Sequence, residues 1–466
     1  MSKFGTCCSA IVTVACLLSA SEATTIPTIV LSRRTGPPTS TLLISGSGFA
    51  ANTAVDLYFD TKDEALVVTN DDGRFSGAKV YVPREARPGK HQITALERNN
   101  ENGAQEAFAV QTDWKEFLFD YDGARANPYE NVLNTTTAKN LELKWSYATG
   151  NLVFSSPAIA NNVLYIGSQD GNLYALNART GKKLWSYNTG SYVDSPPAVA
   201  DGKVFFGSYN GNTYALNALT GAFLWSFPGG GGDSGPTVAD GIVYIGSGYV
   251  YALNEESGKL KWSFNTGGVI VSPVTVANGI VYVGSWNGLY ALNARTGAEV
   301  WSNNFFVVCS PIFAYGAVYF TGGDSYLYAL DAQTGATLWK YSAGEGILQG
   351  VSTPAIADGI LYVGAFDDNV YAINAHTGTL VWKAPTFLFI GSSPAVANGV
   401  VYVGSDDFRV YAFDAATGDQ LWAYPTNSFI YSSPAVANGM VYIGSEDNNI
   451  YAFGVARKGS STSPSN

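Results

Sequence analysis

Cysteine, histidine and basic charge are scarce in this sequence. Its 466 residues include 4 cysteines and 2 histidines, and 26 Lys and Arg stand against 37 Asp and Glu, for a formal net charge of −11. The acidic balance excludes the phosphate attraction on which nucleic-acid binding depends. Three cysteines, Cys7, Cys8 and Cys16, precede Ala23. A chain cleaved after Ala23 keeps Cys309 alone and has no internal disulfide.

Long apolar runs are also missing. Residues 9–20 are mostly apolar, but this stretch is too short to span a bilayer. Lys3 before it and Ser21-Glu22-Ala23 after it predict a signal peptide over residues 1–23. Lipid attachment at Cys16 is the alternative to cleavage after Ala23. We therefore expect an exported protein, periplasmic, at the cell surface or secreted, with no transmembrane segment.

Eight copies of a sequence repeat of roughly forty residues occupy most of the chain. Each copy has a proline after a small residue and a tyrosine that begins Tyr-Ala-(Leu/Ile/Phe). Each also has a tryptophan that closes a strand: Trp145, Trp185, Trp225, Trp262, Trp301, Trp339, Trp382 and Trp422. Strand-rich, glycine-punctuated copies of this length indicate a β-propeller with one four-stranded antiparallel blade per copy. We expect the eight tryptophans to dock neighbouring blades together.

The strand pattern also predicts how the ring closes. In the second copy we expect strands at 183–187, 195–200, 204–208 and 213–217, joined by turns rich in Gly, Asn and Asp. The first tryptophan strand, 141–147, has no preceding blade, and the last copy ends at 450–453 without a tryptophan strand. Pairing these two segments removes both unpaired edges. We predict an all-β, eight-bladed propeller over 141–453, in which Trp145 completes the blade of Pro434 and Tyr451.

The segments outside the repeat have different patterns. Residues 25–111 alternate apolar stretches with turns, which predicts a small β-sandwich before the propeller. Phrases such as Gly46-Ser47-Gly48-Phe49 and Asp72-Gly73-Arg74-Phe75 resemble bacterial immunoglobulin-like domains, and that resemblance implies a spacer or adhesive role. Residues 112–140 form a polar connector whose aromatic side chains predict packing on the propeller. Residues 454–466 are expected to be a disordered tail.

The segment from Ala175 to Trp185, with Asn177 and Gly181 between them, resembles the tryptophan-docking motif of the pyrroloquinoline-quinone (PQQ) propeller repeat. The resemblance implies either a quinoprotein dehydrogenase that uses PQQ and Ca²⁺ or a cofactor-free propeller such as the lipoprotein of the outer-membrane β-barrel assembly machine. The dehydrogenases require a vicinal Cys-Cys disulfide, Ca²⁺ ligands of Glu, Asn and Asp type, and an Asp base. Cys7-Cys8 lies in the predicted signal peptide and Cys309 is solitary. We therefore predict no cofactor, with PQQ and Ca²⁺ as the alternative.

In a meander of this order, the connections after each tryptophan strand and the turns before each Tyr-Ala-Leu emerge on one face of the disc. Many side chains there are acidic or aromatic, a composition that suits a sugar or a basic peptide. The competing interpretation is that Asp and Gly are simply hairpin residues. The candidate partner-binding residues are Phe154, Tyr192, Asp194, Trp286, Phe306, Asp324, Phe366, Asp367, Phe387, Phe389, Asp406, Phe429, Tyr431 and Glu446.

No catalytic or metal-binding residue is predicted. The acids of different turns are separated by whole blades, so their spacing alone does not build a Ca²⁺ cage. Cys309 has no evident base beside it in the sequence. We expect a monomeric, non-catalytic propeller that binds or scaffolds a protein or glycan at the cell envelope. The alternatives are a PQQ/Ca²⁺-dependent quinoprotein oxidoreductase and a carbohydrate-active enzyme with paired carboxylates.

Overall fold

A computed structural model describes residues 26–99, 102–120, 123–344 and 352–456. The predicted signal peptide and most of the predicted tail lie outside these residues. The chain divides into two compact units, one formed by residues 26–34, 41–81 and 91–108, and the other by residues 35–40, 82–90 and 109 onward. In the described part of the chain, no helix is long and apolar enough to cross a membrane.

The N-terminal segment folds into two sheets. A three-stranded sheet has the order β1-β3-β6, and a five-stranded sheet has the order β2-β8-β7-β4-β5, with a parallel pair only between β2 and β8. Alternate residues such as Leu42 and Ile44 of β3 and Ile93 of β7 are buried, as expected for strands with one covered face. The strands are β1 Thr28–Leu31, β2 Thr35–Gly36, β3 Thr41–Ser47, β4 Ala54–Phe59, β5 Lys62–Val68, β6 Phe75–Tyr81, β7 Gly89–Glu97 and β8 Gly103–Val110. The immunoglobulin-like assignment stays a prediction.

Eight antiparallel sheets of the repeat type follow, and we number them as blades in chain order. Blade 1 is β11 Ala158–Ala160, β12 Val163–Gly167, β13 Asn172–Asn177 and β14 Lys183–Asn188. Blade 2 is β15 Ala198–Ala200, β16 Lys203–Gly207, β17 Asn212–Asn217 and β18 Phe223–Pro228. Blade 3 is β19 Thr237–Ala239, β20 Ile242–Gly246, β21 Tyr249–Asn254 and β22 Leu260–Asn265. Blade 4 is β23 Thr275–Ala277, β24 Ile280–Ser285, β25 Gly288–Asn293 and β26 Glu299–Asn303.

Blade 5 is β27 Ile312–Ala314, β28 Ala317–Thr321, β29 Tyr326–Asp331 and β30 Thr337–Ser342. Blade 6 is β31 Ala355–Ala357, β32 Ile360–Gly364, β33 Asn369–Asn374 and β34 Leu380–Pro385. Blade 7 is β35 Ala395–Ala397, β36 Val400–Ser405, β37 Arg409–Asp414 and β38 Gln420–Pro425. Blade 8 is β39 Ala435–Ala437, β40 Met440–Gly444, β41 Asn449–Val455 and, from the start of the repeat region, β10 Leu141–Ala148.

The ring closes as the sequence predicts. Strand β10 pairs antiparallel with β41, and Trp145 lies opposite Ala452. The innermost strands of blades 8 and 1, β39 and β11, lie side by side. The two ends of the repeat region therefore complete one blade, and no free sheet edge remains at the junction.

Each tryptophan binds the next blade through its indole N–H. Trp185, for example, donates to the carbonyl oxygen of Ala218 at 3.1 Å, and its ring covers Gly221, whose φ of +71° suits glycine. A Cβ at Gly221 would lie 2.7 Å from that ring. The same contact joins blades 7 and 8 where the propeller closes. There the indole N–H of Trp422 donates to the carbonyl oxygen of Leu141 in β10 at 2.9 Å. The other indole donors are Trp145, Trp225, Trp262, Trp301, Trp339 and Trp382.

The connector runs along the innermost strands. A short strand β9 at Ala126–Asn127 pairs parallel with β35, and a 3-10 helix spans Ala138–Asn140. Trp114 forms an antiparallel bridge with Ile159 of blade 1. Connector carbonyls also accept the backbone N–H groups of blade 2 (Val199 to Lys115), blade 6 (Ile356 to Ala124) and blade 7 (Val396 to Arg125). The connector thus supplies hydrogen-bond partners to strand edges that face the central channel.

Arg125 holds this connector in place. Its side chain is buried and donates to the carbonyl oxygens of Pro394 at 2.8 Å, Ser393 at 3.2 Å and Pro434 at 3.1 Å, and also to Phe117. Its guanidinium also lies 4.3 Å from the Phe117 ring centre. Burial lowers the pKa of Arg125 below its usual value. One cation therefore ties the connector to blades 7 and 8 through carbonyl groups.

Candidate functional site

One face of the propeller gathers two kinds of segment. The residue after the serine of a short turn donates its backbone N–H to a carbonyl of the connection that enters the same blade. Asp406 donates in this way to Phe389 at 3.1 Å, and Glu446 to Phe429 at 3.0 Å. The equivalent donors are Gln169, Tyr209, Trp286 and, in blade 5, Gly323, which follows Gly322 instead of a serine. We call the surface formed by these turns and connections the turn face.

Five acidic side chains of the turn face are hydrogen-bonded to a tyrosine of their own blade. Each lies four residues before the tyrosine of Tyr-Ala-Leu and accepts a hydrogen bond from its hydroxyl. The distances are 2.6 Å for Asp170–Tyr174, Asp367–Tyr371, Asp407–Tyr411 and Asp447–Tyr451, and 2.5 Å for Asp324–Tyr328. Burial followed by the hydrogen bond to Asp367 raises the pKa of Tyr371. The hairpin interpretation therefore applies to the candidates Asp324 and Asp367.

The candidate aromatic residues form pairs on the turn face. Phe154 stacks on Tyr431 with ring centres 5.7 Å apart. The other pairs are Tyr192–Tyr209 at 6.2 Å, Trp286–Phe306 at 6.1 Å, Phe366–Phe389 at 5.3 Å and Phe408–Phe429 at 5.1 Å. Phe387, which is 71% exposed, lies 5.1 Å below the guanidinium of Arg409. Trp286 and Phe306 are 51% and 47% exposed, so part of this aromatic surface is open to a ligand.

Three remaining acids differ from the tyrosine-bound ones. Burial raises the pKa of Asp406 to about 6, with Asp407 adding to the shift and the Tyr431 hydroxyl opposing it. Burial also raises the pKa of Asp194 to about 6, despite a 3.0 Å hydrogen bond from Gln169. Burial and the charge of Asp406 raise the pKa of Glu446. The structure therefore brings Asp406, Glu446, Tyr431 and Phe154 together, and we call these four residues the acid pocket.

A ring of serines surrounds the channel below the turn face. Ser195 accepts the N–H of Gly207 at 3.0 Å and donates to the carbonyl of Ser234 in the next blade at 3.2 Å. Other links of the same kind join Ser155 to Ser195, Ser234 to Ser272, Ser352 to Ser392 and Ser432 to Ser155. Cys309 stands at the corresponding place in blade 5, where Thr321 donates to its Sγ atom at 3.4 Å. This wall is made of small side chains, most of which are hydrogen-bonded within the protein, whereas the hydroxyl of Ser272 has no partner among the described residues.

A cavity of about 590 Å³ in the second unit lies away from the turn face. Phe119, Tyr129 and Glu130 of the connector and Tyr362 of blade 6 line it. Glu130 accepts backbone N–H groups of Val132, Leu133 and Gly439 at 2.8 to 3.0 Å. Its carboxylate therefore holds the connector on the blades and is not free for a ligand.

The described residues do not fit PQQ and Ca²⁺ as the sequence resemblance requires. Among them, no three His, Cys, Asp or Glu side chains are grouped to hold one metal ion. Cys309 is a free, buried thiol, and burial raises its pKa. The vicinal disulfide that would face the quinone therefore has no counterpart in this part of the chain.

Sequence reasoning missed Tyr209 and Phe408, which pair with two candidate aromatics. Tyr209 occupies the slot of Trp286, directly after the serine of a short turn. That position is the signal that would have found it. Phe408 has a φ of +69°, which is unusual for an aromatic residue, and no sequence pattern marked it.

The propeller is similar to several solved structures. The quinohemoprotein alcohol dehydrogenase from Comamonas testosteroni aligns with TM-score 0.65 and 17% identity, over 76% of this chain and 82% of that chain. A europium-containing methanol dehydrogenase aligns with TM-score 0.65 and 16% identity, over 74% and 98%. The computationally designed Ika8 protein aligns with TM-score 0.58 and 18% identity, over 66% and 98%. At these identities the likeness concerns the fold.

No curated protein sequence matches the chain. The model of the family described as "Outer membrane protein assembly factor BamB" matches residues 121–264, 246–388 and 366–461. These matches cover the connector end and all eight blades. The repeated Trp–Gly contacts, the closed ring and this match lead to one conclusion: the chain belongs to this family of PQQ-repeat propellers.

Proposed function

We propose that this protein is an exported, non-catalytic propeller that binds a protein or glycan partner at the cell envelope through its turn face. The observation that carries the proposal is the exposed aromatic surface there. Tyr192, Trp286, Phe306 and Phe387 are 48%, 51%, 47% and 71% exposed. Aromatic side chains supply large rigid contact areas, and apolar surface of this kind marks interaction sites.

Site-specific photo-crosslinking in the native cell tests this proposal directly. A photoreactive phenylalanine at position 286 or 387 should crosslink a discrete partner, because both side chains are exposed on the turn face. The control is position 219, where Leu219 is 78% exposed in the turn between β17 and β18, at the other end of the blade. Equal crosslinking at 219, or none at 286 and 387, would contradict the proposed face.

A quinoprotein oxidoreductase is the second candidate function. Two of the similar structures are alcohol or methanol dehydrogenases by name, and they favour this alternative over a binding role. Their identity of 16–17% supports the fold only. The described residues lack both the group of Ca²⁺-ligating side chains and the vicinal disulfide that the resemblance implies. Mixing the purified protein with PQQ and CaCl₂ separates the two candidates. Dye-linked oxidation of an alcohol, with saturable binding of the quinone, would overturn the non-catalytic proposal.

A carbohydrate-active enzyme is less well supported by the acid pocket. Glycosidases use two carboxylates whose environments drive their pKa values apart, so that one is protonated and the other ionised. Here burial raises the pKa of both Asp406 and Glu446. Neither acid has an ion pair among the described residues that would keep it ionised as the nucleophile of this chemistry.

A further inference from the structure

Asp406 has an unusual environment for a carboxylate. Its side chain is only 1% exposed, yet neither of its oxygens has a hydrogen bond of ordinary geometry among the described residues. Its neighbour Asp407 differs, because the Oδ2 atom of Asp407 accepts hydrogen bonds from both the Tyr411 hydroxyl and the Phe387 N–H. The Tyr431 hydroxyl lies near Asp406, but a buried carboxylate with so few donors is costly, so a ligand that supplies further donors would be favoured.

The surroundings of Asp406 indicate what kind of donor fits. Glu446 occupies the same slot of the next blade, and its Oε1 atom is also buried without a hydrogen-bond partner in the described part of the chain. The Tyr431 hydroxyl is near Asp406, and the Tyr431 ring stacks on Phe154. Tyr431 also covers Gly391, where a Cβ would lie 2.8 Å from the ring. The acid pocket thus combines two carboxylates with two aromatic rings.

Positive charge from the protein does not occupy this pocket. Across residues 26–99, 102–120, 123–344 and 352–456, no ion pair joins Asp406 or Glu446 to a lysine, arginine or histidine. The charged or titratable groups that act on Asp406 and Glu446 are each other, Asp407 and Tyr431. The pocket therefore has an excess of negative charge.

A divalent metal suits this pocket less well than an organic cation. Calcium takes six to eight oxygen ligands, whereas no group of three metal-ligating side chains is present among the described residues. An ammonium or guanidinium group needs fewer acceptors and gains from adjacent ring faces. Its N–H groups can also satisfy the unpaired carboxylate oxygens.

We propose that Asp406 and Glu446 bind an ammonium or guanidinium group, with Tyr431 and Phe154 as the apolar wall. This inference rests on the proposed function, because it names the chemistry that the turn face recognises. The cation source is either a free amine or a Lys or Arg side chain of a partner. Binding is strongest when Asp406 is ionised and declines as the pH falls from 7.5 to 5.

Titration of the purified protein with n-butylguanidinium, n-butylammonium, CaCl₂ and neutral n-butanol, followed by NMR, tests the inference. Asp406→Asn should weaken binding of the organic cations by at least about tenfold, as expected for loss of a charge-assisted hydrogen bond. Glu446→Gln should weaken it in the same direction. n-Butanol should not bind.

The matched control is Asp201→Asn. Asp201 is exposed in the β15–β16 hairpin at the other end of the blade, and four blades carry Asn at the equivalent position: Asn161, Asn278, Asn398 and Asn438. This variant loses the same charge and should bind like the wild type. Equal affinity in Asp406→Asn and Asp201→Asn would overturn the inference, as would Asp406-dependent binding of Ca²⁺ without binding of either organic cation.

Short peptides distinguish the two sources of the cation. Binding of an Arg- or Lys-containing peptide at least about tenfold tighter than n-butylguanidinium supports a partner side chain, since the peptide adds contacts to the aromatic rims. Equal affinities support a free amine. Crosslinking from position 286 in an Asp406→Asn background keeps the two proposals separate. Crosslinks that persist unchanged leave the binding face intact and refute the cation pocket as the partner's anchor.

Discussion

The buried carboxylate of Asp406 makes a prediction about stability that needs no ligand. In the folded protein its pKa is about 6, against 3.8 for the exposed group. The folded state therefore keeps this proton to a higher pH than the unfolded state does. The stabilising contribution of the protonated form is fully present below pH 3.8 and is lost as the pH rises through about 6. Replacement by Asn should abolish this loss.

The magnitude follows from the difference between the two pKa values. A difference from 3.8 to about 6 corresponds to about 3 kcal/mol in free energy of unfolding. Because the Tyr431 hydroxyl and solvent screening reduce the cost of the charge, we expect about half of this value, about 1.5 kcal/mol. The free energy of unfolding of Asp406→Asn, relative to the wild type, should thus increase by about this amount between pH 4 and pH 7.5.

Urea denaturation of the wild type, Asp406→Asn and Asp201→Asn between pH 4 and pH 8 measures this difference. Comparing the change with pH cancels any constant effect of the amide group. Asp201 is exposed, and its variant should follow the wild type across the range. A difference between Asp406→Asn and wild type that does not vary with pH would refute the reasoning, because burial of the charge would then have no energetic effect.

Three further predictions, one of them with a control variant, test the fold by the same denaturation assay. Gly221→Ala should cost about 3 kcal/mol, because its Cβ would meet the Trp185 ring, whereas Gly202→Ala, with similar positive φ and open space, should cost about 1 kcal/mol. Arg125→Met should cost about 3 kcal/mol by leaving buried carbonyls without donors, and a neutral result would show that the connector is not held by this side chain. Cys309→Ser should leave stability unchanged or raise it by up to about 1 kcal/mol, because every equivalent blade position is serine; a loss above about 2 kcal/mol would contradict the equivalence.

The fold was predictable from the sequence because the blade repeats its chemistry. A glycine with positive φ must follow the third strand, and the tryptophan of the preceding blade must cover it, so their spacing identifies the architecture. The exact ends of the strands were harder to predict from the sequence. In blade 2 the innermost strand begins at Ala198, later than the predicted 195, because Pro196 and Pro197 have no N–H to donate.

The candidate site was predictable only in part. The sequence placed acids and aromatics on one face, but it did not separate Asp324 and Asp367 from Asp406 and Glu446. The distinction lies in register, since an acid four residues before the repeat tyrosine binds its hydroxyl, whereas an acid five residues before it enters the pocket. The path of the connector was not predictable, because its contacts are non-periodic and depend on blades far along the chain.

The pairing of β10 with β41 has a consequence for biosynthesis. The strand made first in the repeat region waits for the strand made last, so the ring stays open until the whole array has left the ribosome or a translocation pore. Until then, the strands at both ends of the array expose unpaired backbone N–H and C=O groups that can pair with other chains. A product truncated before β41 would therefore retain seven complete blades and unpaired strand edges at both ends of the array. Such exposed edges would make it a substrate for chaperones or proteases.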